Sequence, residues 1–367
     1  MSNSIVEQDL KDIYRRLKPI FHKLENKTLL ITGGAGFLGS YFLQTISYVN
    51  KYHFRKPCKV ICVDNYITAL KNNPVYIISD SHLQFIEHNV IKPLRLRRKI
   101  HYIIHAAGIA APIYYRKYQI EAIEVNTFGT KHLLELARKN RVQSFLYFSS
   151  SEIYGDPTPE NIPTPETYRG NVSCIGPRSC YDESKRLGEA LSMTYYAVHK
   201  TPIKIVRPFN IYGPGMKPKD YRVIPTFVYF ALAGKLLPVH DTGKQTRTYC
   251  YISDAIVALF KVLLAGRDGE VYNVGNDTPE ITTKELAGVI AKQLKDKAKI
   301  ELIPYPLGYP TDVPQRRCPD LTKIRNHLNY IPRVSLEKGL KRTLVWCKKT
   351  YGVGIKKELI DGEEIAK

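Results

Sequence analysis

A doubly wound parallel α/β sheet with a smaller C-terminal α/β lobe is the fold class that three features of this 367-residue chain predict. Short apolar, β-branched runs alternate with helical patterns through the N-terminal half, the rhythm of repeated strand–helix–strand units. A glycine-punctuated turn, Thr32 to Gly39, separates the first apolar run from the first long helical pattern. Beyond about residue 208, Pro208, Gly213, Pro214, Gly215, Pro218 and Pro225 break that rhythm and the apolar runs shorten.

Taken in order, residues 1–26 precede the first strand. Ile5, Leu10, Ile13, Leu17, Phe21 and Leu24 recur at three- and four-residue spacing, which predicts an amphipathic helix packed on its own domain. Thr28–Thr32, Val60–Val63, Ile103–His105, Phe145–Ser149 and Ile203–Arg207 read as buried parallel strands. Leu38–Asn50, Gln119–Lys139 and Tyr181–His199 read as the helices between them, with an insertion in the loop at Val49–Pro57. This gives a Rossmann-type domain over 27–207 and, over 208–350, mainly a lobe with brief strands such as Tyr249–Ile252 and Val271–Val274, some strands of which return to the Rossmann sheet. A polar tail, 351–367, follows.

At 44% hydrophobic the chain can bury a full core, and no apolar run approaches the ~18–20 residues that span a bilayer. Seven cysteines without a CxxC pair favour neither a disulfide framework nor a metal site, and the expected compartment is the cytoplasm. The net charge of +21 raises nucleic acid as a partner. The excess is spread out, however, and its densest cluster, Arg95–Lys99, lacks interleaved aromatics, so no nucleic-acid partner is expected.

Two constellations carry chemistry. Gly33, Gly36 and Gly39 stand where a dinucleotide fingerprint requires them, after a strand and at the opening of a helix. There the helix N-terminus can face a pyrophosphate. Asp64 closes the second strand, where a carboxylate can hold ribose hydroxyls and repel a 2′-phosphate, so NAD is expected over NADP. Tyr181 and Lys185 are separated by one helical turn and share a face. An ammonium and a cationic nicotinamide beside the phenol would favour phenolate, a base able to take a proton from a sugar hydroxyl.

With the turn, Asp64, Tyr181 and Lys185 in this order, residues 27–349 resemble the extended short-chain dehydrogenase/reductase superfamily. Ser149–Asp156, Gly176–Arg186, Arg207–Pro214, Gln245–Arg247, Tyr251–Asp254 and Arg317–Asp320 are similar to stretches of its UDP-glucuronic acid decarboxylase (UDP-xylose synthase) group. The resemblance implies an NAD-dependent enzyme that oxidises a nucleotide sugar at carbon 4 and works as a homodimer. Ser150 would orient the sugar hydroxyl, Glu152 would serve acid/base chemistry at carbon 5, and Arg317 would approach the sugar carboxylate. Ser151, Asn210 and Arg247 would bind the rest of the sugar nucleotide, and Pro112 and Tyr115 would line the loop facing carbon 6. The expected cofactor set adds Phe37, Leu38, Asn65, Asn89, Val90, Ala106, Ala107 and Asn126 to the glycines, Asp64, Tyr181 and Lys185. Asn89 stands where the group has an aspartate, and the serine–proline step before Pro112 is absent. The outcomes left open are decarboxylation, 4,6-dehydration and 4-epimerisation. A catalytically silent dinucleotide-binding scaffold is the alternative of another class.

Overall fold

The computed structural model describes residues 4–69, 71, 80–217, 220–294, 298–305 and 313–352; the polar tail from 353 onward lies outside the described residues. Seven parallel strands form the central sheet. In chain order they begin with β1 (Thr28–Thr32), β2 (Lys59–Asp64), β3 (Leu83–Glu87), β4 (Tyr102–His105), β5 (Ser144–Phe148) and β6 (Ile203–Pro208). Short strands β7 (Ile211–Tyr212), β8 (Leu237–His240), β9 (Thr246–Arg247) and β10 (Cys250–Tyr251) follow, then the seventh sheet strand, β11 (Glu270–Val274). β12 (Ile281–Thr282), β13 (Ile300–Ile303) and β14 (Arg316–Arg317) complete the set. The spatial order is β11-β6-β5-β4-β1-β2-β3. Strand order therefore reverses between β1 and β4, the switch point at which such sheets bind ligands.

The expected strands hold to within a residue or two at each end. The sequence reading omitted β3, whose half-exposed residues give no apolar run. Helix α1 (Ser4–Phe21) buries Val6, Leu10, Ile13, Leu17 and Phe21, each contributing about 1.5–3 kcal/mol of gross burial. It lies chiefly against the helix Ile252–Ala265 and also against α2 (Phe37–Tyr52), so its apolar face is covered by this same chain. Buried Asp9 ties it down by accepting from Tyr251 Oη at 2.8 Å and pairing with Arg342 at 2.9 Å.

Two helices depart from expectation. α2 runs on to Tyr52, so the segment expected as a loop insertion is partly an extra helical turn. Asn50 then clamps Cys58 through two backbone bonds of 2.8 and 2.9 Å. The helix expected over Gln119–Lys139 is α4 (Gln119–Glu124) and α5 (Thr130–Asn140) joined by a π turn, Val125–Gly129. Arg95–Lys99 lies in a segment without regular structure, and among the described residues no helix is long and apolar enough to cross a membrane.

Helix α6 (Ser179–His199) packs beside β6 and carries Tyr181 and Lys185. Arg207 on β6 locks it there, pairing with Glu189 at 2.6 and 2.8 Å and donating to Tyr154 Oη at 2.7 Å.

Candidate active site

The first cavity opens at the switch point. Gly33 follows β1 with φ +74°, and its amide donates to Val63 O at 2.9 Å. A Cβ here would stand 2.6 Å from Ala107 N and 2.7 Å from Ala106 O, so only glycine lets the β1 and β4 loops meet. At Gly39 a Cβ would fall 2.2 Å from Gly33 O, which forces glycine on the packed first turn of α2. The resulting crevice is lined by Gly33, Gly36, Asp64, Asn65, Asn89, Val90, Ala106, Ala107 and Gly108.

Asp64 projects from the end of β2, its two oxygens accepting from Ala35 N and Tyr66 N at 2.9 Å each. Burial pushes its carboxyl up, and these amides oppose the shift. Phe37 and Leu38 pack against the core, and their side chains do not line the crevice. Asn126 sits in the π turn, donating to Ala122 O and Ser184 Oγ at 2.9 and 3.0 Å, and its buried Oδ1 has no partner among the described residues.

The second constellation adjoins the first through Lys185. Its Nζ donates to Phe148 O at 2.7 Å and lies 5.9 Å from the Tyr181 ring centre. A Cβ on Gly108 would stand 3.2 Å from it, so the amine borders the crevice floor. Burial pushes Lys185 down to about 7, opposed by Glu189. Tyr181 is only 3% exposed, hydrogen-bonded to the Ser150 side chain, and stacked on Tyr115 with ring centres 5.2 Å apart. The sequence reading expected an acidified phenol. In the protein alone the direction is the reverse: burial raises Tyr181 and outweighs the Ser150 hydrogen bond that lowers it. Cationic help has to come from what binds in the crevice.

Charged side chains surround this phenol. Ser150 caps the turn Ser151–Tyr154 by accepting from Glu152 N at 3.2 Å, which aims Glu152 toward the N-terminus of α6. Glu152 is held between two guanidiniums, Arg178 on Oε2 and Arg317 on Oε1. Arg178 also lies 3.4 Å from Asp182, and Arg317 Nη2 donates to Gly155 O at 3.2 Å. Arg317 and Arg247, far apart in sequence, are direct partners in the β14–β9 ladder. Arg247 donates to the carbonyls of Thr246, Pro314 and Gln315 at 2.8, 2.5 and 3.1 Å. Burial and, after it, the neighbouring guanidiniums push Arg317 down to about 9 and Arg247 down to about 10.

Of the expected substrate residues, Ser151 is buried and Asn210 turns its amide to Thr248 O at 3.0 Å. Pro112 opens α3 (Pro112–Lys117), which carries Tyr115. Buried Ser149 Oγ, Tyr249 Oη and Arg317 Nε have no partner among the described residues. Sequence reasoning singled out neither Arg178 nor Tyr249. Arg178 was legible, because three residues before Tyr181 on a helix is the same face. Tyr249 gave no signal beyond its place after Arg247.

A model of the NAD dependent epimerase/dehydratase family matches residues 29–275. The chain belongs to that family. Membership makes it an NAD-dependent enzyme, and the α1 extension lies outside the matched region. It is 39% identical over 315 residues to UDP-glucuronic acid decarboxylase 5 of Arabidopsis thaliana, covering 86% of this chain and 87% of that one. Its fold superposes on an epimerase of Methanothermobacter thermautotrophicus with a TM-score of 0.80 at 26% identity, over 94% of this chain and 98% of the other. The dTDP-glucose 4,6-dehydratase of Streptomyces venezuelae, solved with NAD bound, gives 0.78 at 28% identity, over 90% and 100%. The residues present fit NAD. The glycine cradle has no room for a Cβ at Gly33 or Gly39, Asp64 is oriented by two backbone amides, and the Lys185 amine borders Gly108.

Proposed function

We propose that this family member acts on a nucleotide sugar by transient oxidation at carbon 4, and that its reaction is decarboxylation of a UDP-hexuronate to a UDP-pentose. In this reading residues 27–207 carry the dinucleotide and 208–350 supply most of the sugar-nucleotide contacts. The observation that carries the choice is the pair of guanidiniums, Arg178 and Arg317, closed on Glu152 beside Tyr181. A base for carbon 5 needs a free carboxylate, whereas this one is engaged on both oxygens. The same guanidiniums are suited to receive a second carboxylate, that of a uronate. The similarity to UDP-glucuronic acid decarboxylases over most of the chain supports the same choice.

Bound NAD supplies the hydride acceptor for the oxidation and the donor for the later reduction, so none is consumed. Tyr181 takes the carbon-4 hydroxyl proton while Ser150 holds that oxygen in place. Lys185 stands where it can hold the phenol and the crevice ligand in register. The ketone so formed makes the sugar a β-keto acid. When the bond between carbons 5 and 6 breaks, CO₂ leaves and the electron pair moves to the carbon-4 oxygen. Tyr181 and Ser150 stabilise that enolate by hydrogen bonding, a solvent water protonates carbon 5, and Tyr181 gives its proton back to the carbon-4 oxygen as that carbon is reduced. Arg247, with the hydroxyls of Ser149 and Tyr249 that have no partner among the described residues, offers donors for the rest of the substrate.

Purified protein incubated with UDP-glucuronate should release CO₂ and a pentose nucleotide, read together by mass spectrometry across a panel of nucleotide sugars. A 4-keto-6-deoxy product from a neutral hexose nucleotide, without action on the uronate, would reassign the chain as a dehydratase.

A further inference from the structure

We infer that the chain carries a second anion site, which takes a diphosphate, in the basic cavity between α1 and the helix Ile252–Ala265. It shares no lining residue with the dinucleotide crevice.

Four cations line this cavity: Arg15 and Arg16 from α1, Lys261 from the helix Ile252–Ala265, and Arg333 from the segment after the helix Thr322–Leu328. Pro19 and Ile331 add apolar wall. Burial of Ile13 and Leu17 fixes the roll of α1, which brings Arg16 out at the edge of the packed face and Arg15 beyond it. The Arg16 side chain is 6% exposed and is held by Asp254, by Asp12 at 3.5 Å and by Ile331 O at 2.8 Å. Asp254 also accepts from the amides of Arg333 and Val334 at 2.9 Å each, so one carboxylate ties the 329–334 segment to α1. Lys261 gives two of its protons to Leu328 O and Asn329 O, at 2.6 and 2.9 Å, and keeps a third.

Charge points to the ligand. Asp12 and Asp254 are the carboxylates paired with these four cations, which leaves two positive charges in excess. The Arg333 guanidinium has no hydrogen bond or ion pair among the described residues. Burial, and after it Arg16 and Arg333, push Lys261 down, so the unbalanced field reaches the amine. An anion carrying two or three charges restores the balance. A diphosphate does so better than a lone carboxylate, because two guanidinium forks and an ammonium can each meet a different oxygen. Catalysis does not account for the cluster. α1 and the 329–334 segment lie outside the region that the family model matches, and no residue of the cavity belongs to the machinery around Tyr181.

The test is titration of inorganic pyrophosphate into NAD-loaded protein in metal-free buffer, read by calorimetry and by melting temperature. Wild type should show one saturable site below about 1 mM. Occupancy should raise the melting temperature, and the affinity should fall as salt is added. Arg333→Gln changes an exposed side chain that nothing holds, so the variant should fold and keep its NAD. Its pyrophosphate affinity should drop about tenfold, and that of Arg15→Gln/Arg333→Gln further. A melting temperature without pyrophosphate equal to that of wild type marks the variants as folded; should the double variant not fold, Arg333→Gln alone decides. Absence of saturable binding to wild type overturns the site. So does a loss of less than about threefold in the deciding variant, because pyrophosphate would then be bound elsewhere.

Discussion

At the end of β1 the chain presents backbone: amides at the opening of α2, the Ala106–Ala107 loop, and Asp64 held by two N–H groups. Beside Tyr181 it presents side chains, namely a phenol, a serine and three guanidiniums, delivered by β5, α6, β9 and β14. The first site is one local turn crossed by one sheet neighbour. The second is assembled from segments as distant as Ser150 and Arg317. A backbone cradle tolerates little change in shape and much change in charge, whereas a cluster of buried charges behaves in the opposite way. The two should therefore fail differently when mutated.

The sharpest break is Tyr181→Phe. It keeps the stack on Tyr115 and removes only the oxygen that Ser150 binds. Turnover should fall about 10²–10⁴-fold, with NAD retained as in wild type. The check is single-turnover absorbance of reduced nicotinamide together with the cofactor content of purified protein. Full activity would remove the phenol from the mechanism.

Gly33→Ala should do the reverse. The alanine must adopt φ +74° and push its Cβ to 2.6 Å from Ala107 N, so the β1 and β4 loops must part. About 1–3 kcal/mol of strain is expected, read as a lower melting temperature. Loss of co-purified NAD should accompany it, while the charge cluster around Glu152 stays in place. Undiminished NAD content would show that the two loops can separate without harm.

The same contrast explains what the sequence disclosed. The glycine turn and Asp64 were legible because a local backbone shape demands particular residues at fixed spacing. The parallel strands were legible because burial on both faces demands unbroken apolar runs, and β3, exposed along one edge of the sheet, escaped for want of that demand. Tyr181 and Lys185 were legible through helical spacing. The bracket on Glu152 was not, because nothing local marks Arg178 and Arg317 as neighbours. They meet only once β14 pairs with β9 and the turn after β5 faces the start of α6. The upward shift of Tyr181 in the protein alone was not legible for a related reason. Spacing shows that a lysine is near, but only the fold shows that both groups are buried and that desolvation dominates.

The gentlest test uses pH and the two sites' buried ionisable groups. Lys185 is pushed down to about 7 in the folded chain, against an unfolded value of about 10.4. Between these values the unfolded chain binds more protons than the native one, so stability rises with pH across that window. In cofactor-free protein the unfolding free energy of wild type should gain on that of Lys185→Met from pH 7 to pH 9, by about 2 kcal/mol. Asp64 in the crevice is pushed up by burial, so its contribution is present at acid pH and lost as pH rises through its folded value. Asp64→Asn should therefore leave the slope between pH 7 and 9 as in wild type. A flat difference for Lys185→Met would mean that its amine finds solvent or a counter-charge in the native chain. The surroundings of Tyr181 would then be wetter than its burial implies, and the desolvation that raises the phenol would be smaller.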